Sequence, residues 1–193
     1  MLSLVEGTLA EHGAVVRSLS GLAPQIVRFG EAACACLDRG GRVFWMGNGG
    51  SAADSQHLAA ELVGRFERER RGIASIALTT DSSILTSVSN DYGFEAVFAR
   101  QVEALCRPGD LLVGLSTSGN SANVVRAMEL AAGLDLFRVG LTGGTGGRLR
   151  ALSDLCLVVP SERTARIQEA HILIGHILCD LVEGHLVASG GEG

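Results

Sequence analysis

The sequence predicts an α/β fold in which a five-stranded parallel sheet lies between two layers of helices, with extra helices at the N-terminus. Short apolar runs typical of buried strands alternate with longer segments of helical pattern, and this alternation is typical of a parallel sheet covered on both faces. Two turns rich in glycine or hydroxyl side chains follow the first and third strands. Five strands suit the flavodoxin-like order 2-1-3-4-5, in which those two strands are neighbours. The fold class is therefore a three-layer flavodoxin-like sheet.

The N-terminal region, about residues 2–38, carries two helical segments. Residues 2–20 have apolar positions at a loose helical rhythm. Residues 24–38 end at Arg39-Gly40-Gly41, which is a C-cap signal. A minimal α/β unit needs neither helix, so we expect the pair to cap the sheet or to form an oligomer interface.

The α/β core is expected over about residues 42–160, within one domain spanning 1–193. Strands are predicted at 43–46, 73–78, 111–115, 137–141 and 155–159. Helices are predicted at 51–65, from about 83 to the break at 90–93, onward to about 106, and at 122–132. A C-terminal helix is expected at about 164–187, and the glycine-rich tail 189–193 is expected to be disordered.

Composition limits the possible functions. The net charge of −5 argues against nucleic acid as the main partner. No apolar run reaches the length of a membrane span, and the N-terminus lacks the pattern of a signal peptide, so we expect a soluble, cytoplasmic protein without a membrane partner. All 16 basic residues are arginines, which excludes a lysine Schiff base and a P-loop lysine.

Two further features predict ordinary structural roles. The cysteines are odd in number and lack C-x-x-C spacing, which indicates buried, reduced thiols; they are Cys34, Cys36, Cys106, Cys156 and Cys179. The charge run over residues 65–71 is typical of a solvated surface.

The turn after the first strand, Gly47-Asn48-Gly49-Gly50-Ser51, is a candidate anion site. Glycines let the backbone present its N–H groups closely to a ligand, and the following helix adds the positive end of its dipole. The same turn matches the dinucleotide fingerprint G-x-G-x-x-A at Gly47, Gly49 and Ala52. The acidic residue expected about 20 positions later falls in the charge run, which disfavours a dinucleotide.

The turn after the third strand, Ser116-Thr117-Ser118-Gly119-Asn120-Ser121, offers four hydroxyls and the amides that open a helix. In a chain without lysine these groups can hold a phosphate. The alternative is a polar loop in which a serine caps the next helix. Because the preceding strands are predicted neighbours at the switch point of the sheet, we expect both turns to form one site.

His57 and Glu61 are spaced i, i+4, so they share one face of the helix that follows the first turn. They could be a surface pair, a core histidine with a satisfied glutamate, or metal ligands. Gln168 and His176 share a broad face of the last helix. Two histidines and one carboxylate would suit zinc, whereas glutamine is an unusual ligand. His12 and His185 are expected to be exposed or capping, and His171 to be packed.

Three segments together resemble the sugar isomerase (SIS) domain family, and within it most closely the phosphoheptose isomerases. They are Gly47–Ser51, Ser116–Ser121 and Arg166-Ile167-Gln168-Glu169. The resemblance extends from the N-terminal helices to about residue 187. It implies the SIS fold, a five-stranded parallel sheet flanked by helices, and assembly as a homotetramer.

The resemblance also implies roles for residues that match the family's motifs. Zinc, one ion per subunit, would be held by His57, Glu61, Gln168 and His176. Glu61 and His176 would be the catalytic acid/base residues. Substrate would be bound by Asn48, Gly49, Gly50, Ser51, Glu61, Asn90, Asp91, Ser116, Thr117, Ser118, Ser121 and Gln168.

The activity implied by the resemblance is an aldose–ketose isomerisation. Sedoheptulose 7-phosphate would become D-glycero-D-manno-heptose 7-phosphate, the first step toward nucleotide-activated heptose for lipopolysaccharide or other surface glycans. Such chemistry needs a base that moves a proton between C1 and C2. A metal-bound carboxylate is a weaker base, so either Glu61 leaves the zinc during turnover or zinc mainly places the substrate.

Two alternatives from other classes remain. One is a non-catalytic SIS protein of the type that associates with the bacterial replication initiator, which residues 66–70 and 76–78 resemble equally well. The other is a sugar-phosphate sensor domain that keeps the phosphate loops without the chemistry. The replication-associated relative lacks the complete Glu and His set, whereas this chain has Glu61 and His176, so the enzyme is favoured.

Overall fold

The computed structural model of the chain describes residues 1–190 and has the predicted three-layer α/β architecture. All five strands are parallel and pair in the predicted order β2-β1-β3-β4-β5. The strands are β1 Val43–Gly47, β2 Ser75–Ala77, β3 Leu111–Leu115, β4 Phe137–Gly143 and β5 Leu155–Val159. The fold class expected from the sequence is confirmed.

Helices flank both faces of this sheet. They are α1 Leu2–Ser18, α2 Ala23–Asp38, α3 Gly50–Val63, α4 Ser82–Tyr92, α5 Val97–Leu105, α6 Ala122–Ala131, α7 Leu149–Leu152 and α8 Thr164–Ala188. Short 3-10 turns at Leu19–Leu22 and Phe94–Ala96 lead into α2 and α5. The single turn of α7 was not predicted.

Successive side chains of the central strands point to opposite faces of the sheet, so the core has two layers. Val43 and Trp45 of β1 pack with residues of α2, α3 and α8, whereas Phe44 and Met46 pack with residues of α5 and α6. Every residue of β1 and β3 is buried because helices cover both faces. This is why these strands appear in the sequence as continuous apolar runs.

Helix α8 corrects one sequence-based expectation. Its 25 residues include a window with a mean hydropathy of 1.3, so it is long and apolar enough to cross a membrane. Half of that window is nevertheless buried inside the fold, and the helix contacts α2, α3 and both β4 and β5. Its apolar character is therefore explained by packing as a core helix.

The two N-terminal helices have different roles. α2 covers the sheet, and its Phe29 packs against Trp45 with ring centroids 6.4 Å apart. α1 has no buried residue and lies against α8 through polar contacts such as His12 Nδ1 to Glu169 Oε2 at 2.7 Å. The sequence-based expectation of a sheet cap is thus met by α2.

The bounds of three strands differ from prediction. β1 extends one residue further, to Gly47, and the differences in β2 and β4 have local reasons. β2 is shorter than predicted because the amide of Ile73 donates to Leu62 O at the end of α3 and so leaves the ladder. β4 runs on to Gly143 because it pairs with β5 as far as Val159.

The charge run over residues 65–71 is not wholly solvated, contrary to prediction. The side chain of Arg70 is completely buried and pairs with the equally buried Glu183 of α8. Burying both charges requires compensating hydrogen bonds. Amides of the segment donate to Glu183, and Arg70 donates to backbone carbonyls through Nη1 and Nη2, whereas its Nε has no partner.

The cysteines and His171 have the structural roles predicted for them. Four cysteines are buried, Cys156 is half-buried, and all five are free thiols. His171 is fully buried, as expected for a packed residue, and burial lowers its pKa to about 4. Of the tail expected to be disordered, residues 191–193 lie outside the described residues.

Candidate active site

The candidate site lies at the carboxyl edge of the sheet, where β1 and β3 are neighbours. Gly47, the last residue of β1, is in register with Leu115, the last residue of β3. The two loops singled out in the sequence therefore start side by side. This is the switch point at which ligands bind in sheets of this kind.

The first loop turns directly into α3. Gly49 has φ +55°, a conformation that glycine adopts without strain, and the amide of Ser51 donates to Asn48 O. A Cβ on Gly50 would lie 2.5 Å from Nε2 of Gln168, which belongs to α8. The absence of a side chain at position 50 is what lets Gln168 lie against this loop.

The second loop keeps its hydroxyls together. Ser116 is buried, and its Oγ lies 2.8 Å from Oγ of Ser121, while Ser118 is exposed. Ser121 precedes α6 but makes no capping bond to it. The alternative reading of a serine cap is therefore not observed, and the Ser121 hydroxyl turns toward the loop.

Contacts with the loop after β4 fix the backbone of this second loop, and they were not predicted from the sequence. Gly119 has φ +68°, and a Cβ there would collide with the carbonyl oxygen of Gly146. The amide of Leu149 donates to Gly119 O at 3.0 Å. The Asn120 side chain donates to Ser118 O and accepts from the amide of Arg148. The loop after β4 thus holds the second loop in place.

Asn48 and Asn123 connect the two loops. Each side-chain amide donates to the other's carbonyl oxygen at 2.8 Å, and Asn123 is almost completely buried. Asn123 was missed because it lies inside the predicted helix beyond the hydroxyl-rich turn. Its partner, Asn48, is 75 residues away in the chain.

A cluster of three proton-binding side chains joins α3 to α8. Nε2 of His57 lies 3.0 Å from Nε2 of His176 and 3.4 Å from Oε1 of Glu61. The three donor atoms all lie within 4.8 Å of one another. His57 is exposed, while Glu61 and His176 are half-buried. The predicted pair on α3 and the predicted histidine on α8 are thus brought together.

Close helix packing makes this cluster possible. Gly175 precedes His176, and a Cβ at that position would lie 2.5 Å from Cδ1 of the buried Leu58 on α3. The two helices can therefore approach more closely than they could with a side chain there. His57 and His176 are the direct sequence neighbours of these two packing residues.

Asn90 and Asp91 occupy a different position. They are exposed at the end of α4, which packs in the other helix layer, and Asn90 Nδ2 donates to Asp91 Oδ1 at 2.9 Å. Within residues 1–190, no side-chain hydrogen bond or ion pair joins them to the other candidate residues. Their substrate-binding role stays a prediction.

One further carboxyl group lies near the cluster. Burial raises the pKa of Asp54, and the neighbouring His57 opposes that effect. Oδ2 of Asp54 is buried without a hydrogen-bond partner. The residue lies three positions before His57 on α3, and sequence reasoning gave it no role.

Comparisons with known proteins agree with this geometry. The family model described as SIS domain matches residues 10–143. A phosphoheptose isomerase from Roseiflexus sp. (strain RS-1) is 57% identical over 167 residues, covering 86% of this chain and 85% of its own. Phosphoheptose isomerase 1 from Campylobacter jejuni is 52% identical over 183 residues, covering 95% and 98%.

Solved structures give the same result. The structure of a phosphoheptose isomerase from Neisseria gonorrhoeae has a TM-score of 0.90 and 45% identity, covering 95% of this chain and 98% of its own. The structure of a phosphoheptose isomerase from Francisella tularensis has a TM-score of 0.92 and 38% identity, with the same coverage.

Proposed function

Since the chain belongs to the SIS domain family, with phosphoheptose isomerases as close relatives, we propose that it is an aldose–ketose isomerase that converts sedoheptulose 7-phosphate into D-glycero-D-manno-heptose 7-phosphate. One observation of the structure carries the proposal. A cluster of two histidines and a glutamate joins α8 to α3, the helix that begins in the first loop, and this loop shares one edge of the sheet with the hydroxyl-rich second loop. A sugar phosphate needs both kinds of group.

Glu61 is the proposed general base. Isomerisation through an enediol requires one group to take a carbon-bound proton and return it to the neighbouring carbon. Glu61 has a half-buried carboxylate that faces His57 and lies on the helix opened by the first loop.

His176 is the proposed partner acid/base. Its imidazole is within hydrogen-bond distance of His57 and so shares the cluster with Glu61. We assign it to proton movement at the ring oxygen and hydroxyl groups of the sugar. Gln168 lies against Gly50 and supplies an amide that can orient sugar oxygens.

The phosphate group is assigned to the second loop. Ser116, Thr117, Ser118 and Ser121 supply hydroxyls, and the amides at the start of α6 add the positive end of its dipole. Asn48, Gly49, Gly50 and Ser51 are proposed to bind the sugar from the first loop. Asn90 and Asp91 are proposed to complete the substrate site.

The donor set also fits zinc. Imidazole nitrogens and a carboxylate oxygen are donors that zinc takes, and three of them lie together. We propose one zinc ion per subunit, held by His57, Glu61 and His176 together with Gln168. When bound, zinc supplies a Lewis acid that polarises the substrate's carbonyl.

Replacing His57 with Ala is expected to remove most of the metal. The change deletes one donor on the exposed side of the cluster, so it should weaken zinc binding by more than the 10- to 100-fold typical of losing an outer-shell partner. Zinc content after chelator-free purification and competition with a chromophoric chelator measure this. His185→Ala, at a histidine that pairs with Asp38, is the control. Full zinc occupancy in His57→Ala would contradict the metal assignment.

Replacing Ser118 or Ser121 with Ala is expected mainly to raise KM. Each change removes one charge-assisted hydrogen bond to the phosphate, worth roughly 1.5–3 kcal/mol, or about 10- to 150-fold. Steady-state kinetics measure the change. The control is Ser20→Ala, at an exposed serine in the 3-10 turn between α1 and α2. Equal turnover of phosphorylated and unphosphorylated heptulose by the wild type would count against the phosphate site.

The activity itself is tested by incubating the purified, zinc-supplemented protein with sedoheptulose 7-phosphate and following the product by NMR. We expect the anomeric signals of the aldose to appear. Binding without turnover would instead support a sugar-phosphate sensor. Neither binding nor turnover would favour an interaction protein.

Assembly and location are also proposed. We propose a homotetramer, which is supported by exposed apolar side chains on α1, namely Leu2, Leu4, Val5 and Leu9. Light scattering should then give the mass of four chains of 20.1 kDa each. A soluble, cytoplasmic enzyme without nucleic-acid or membrane partners is proposed, acting at the first step toward nucleotide-activated heptose for lipopolysaccharide or other surface glycans.

A further inference from the structure

The segment Gly64–Gly72, which follows α3, is held by a buried ion pair. Nη2 of Arg70 lies 3.0 Å from Oε1 of Glu183, and both side chains are completely buried. Arg70 lies within a run of charged residues in the sequence, and such a run does not indicate a buried side chain. An ion pair removed from water in this way is costly unless hydrogen bonds satisfy most of its remaining polar atoms. In the described part of the chain, Nε of Arg70 is the one polar atom of this pair that is buried without a partner.

Glu183 satisfies three successive amides of the segment. Oε1 accepts from the amide of Phe66 at 2.7 Å, and Oε2 accepts from those of Glu67 and Arg68, both at 2.9 Å. One carboxylate thus fixes the backbone at the point where the segment turns. Because Glu183 belongs to α8, the turn is fixed relative to the helix that carries His176.

Arg70 connects the same turn to α3. Its guanidinium donates to the carbonyl oxygens of Glu61 at 2.8 Å and Gly64 at 2.7 Å, which lie at the end of that helix. The ion pair therefore ties together three parts of the protein: the end of α3, the turn, and α8. Two of these carry the proposed acid/base residues.

The turn places an aromatic ring on the imidazole of His176. The rings of Phe66 and His176 are stacked, with centroids 5.4 Å apart and an interplanar angle of 27°. The imidazole of His57 meets His176 edge-on from another direction, at 5.2 Å and 66°. The His176 ring is therefore bounded by Phe66 on its face, and its Nε2 is directed toward His57.

We propose that Phe66, held by the buried Arg70–Glu183 pair, is a positioning residue that fixes the imidazole plane of His176 in the active site. The effect of Phe66 on catalysis rests on the proposed function, whereas its effect on the orientation of the His176 ring does not. A stacked ring restricts rotation about the last side-chain bond of His176, which otherwise has broad freedom. Rotation would turn Nε2 away from Glu61 and His57.

Three variants test the proposal. Phe66→Leu keeps an apolar side chain but removes the flat face, and Phe66→Tyr keeps the face. Phe137→Leu is the matched control, because Phe137 is a half-buried phenylalanine at the opposite edge of the sheet, at the start of β4. We expect Phe66→Leu to lower kcat and zinc affinity by about 10- to 100-fold, with KM changed less than about threefold. Phe66→Tyr should restore both values, and Phe137→Leu should leave them unchanged.

Crystal structures of Phe66→Leu and Phe66→Tyr give a readout that needs neither metal nor substrate. The His176 imidazole should be rotated in Phe66→Leu and native in Phe66→Tyr. An unmoved imidazole in Phe66→Leu, or an equal loss in Phe66→Tyr or Phe137→Leu, overturns the proposal. If the wild type does not isomerise sedoheptulose 7-phosphate, the proposed function fails, whereas the ring orientation still decides the positioning role.

Discussion

Glu61→Gln is expected to lower kcat by at least about 10²-fold, because the variant keeps the size of the side chain but cannot take a proton from carbon. The loss should appear in kcat more than in KM, since the loop proposed to bind phosphate is unchanged. The fold should survive, as Glu61 is half-buried and its side chain faces His57 rather than the apolar core. Glu103→Gln, at an exposed glutamate on α5, should be neutral.

Steady-state kinetics on protein of measured zinc content test this expectation. Transfer of solvent deuterium to the substrate supports a base that exchanges its proton, although a shielded carboxylate can return the original one. Near-normal turnover by Glu61→Gln with metal bound would remove Glu61 from the role of base. His176 would then take its place.

Glu183→Ala is expected to lower the free energy of unfolding by about 3–5 kcal/mol at neutral pH, the range typical of breaking a buried ion pair by deleting one partner. Arg70 would keep its buried charge, and the amides of Phe66, Glu67 and Arg68 would lose their acceptor. Urea denaturation measures the difference. The control is Glu103→Ala, which breaks an exposed pair with Arg100 and should cost less than about 1 kcal/mol.

The effect of Glu183 should depend on pH. Burial alone would raise its pKa, but the three amides and Arg70 outweigh burial and hold the pKa below the ordinary value of 4.5. The stabilisation is therefore complete above pH 4.5 and is lost as the pH falls through the lower folded value. The difference in stability between the wild type and Glu183→Ala should therefore narrow under acid. A constant difference, or a loss no larger than that of Glu103→Ala, would contradict the role of the pair.

Much of the fold could be predicted because its signals are local. β3 and β5 were predicted at the observed bounds, since each is a short apolar run ended by polar or turn residues. The order of the sheet followed from alternation and from the two loops at its switch point. The short β2 was overextended, because the amide of Ile73 is captured by the end of α3, which composition does not reveal.

The site was predictable where its residues are close in sequence or directly follow neighbouring strands of the predicted sheet. The i, i+4 spacing pairs His57 with Glu61, but His176 is 119 residues from His57, and its place in the cluster was expected from family resemblance. Other contacts could not be predicted because they also join residues that are far apart in the sequence. Glu183 accepts from Phe66 across 117 residues, and the charges around Phe66 suggested a solvated surface. The reciprocal amides of Asn48 and Asn123 were hidden for the same reason.

The close approach of α3 and α8 at Gly175 has an evolutionary consequence. The separation of His57 and His176 depends on the neighbours Leu58 and Gly175, neither of which has a polar side-chain atom that could bind substrate. Which residues are tolerated at position 175 is therefore conditional on the residue at position 58. Substitutions at these two positions are expected to show epistasis, and drift in one should be accompanied by compensation in the other. The reactive geometry can thus be under selection through two residues that would be invisible in a search for chemically active groups.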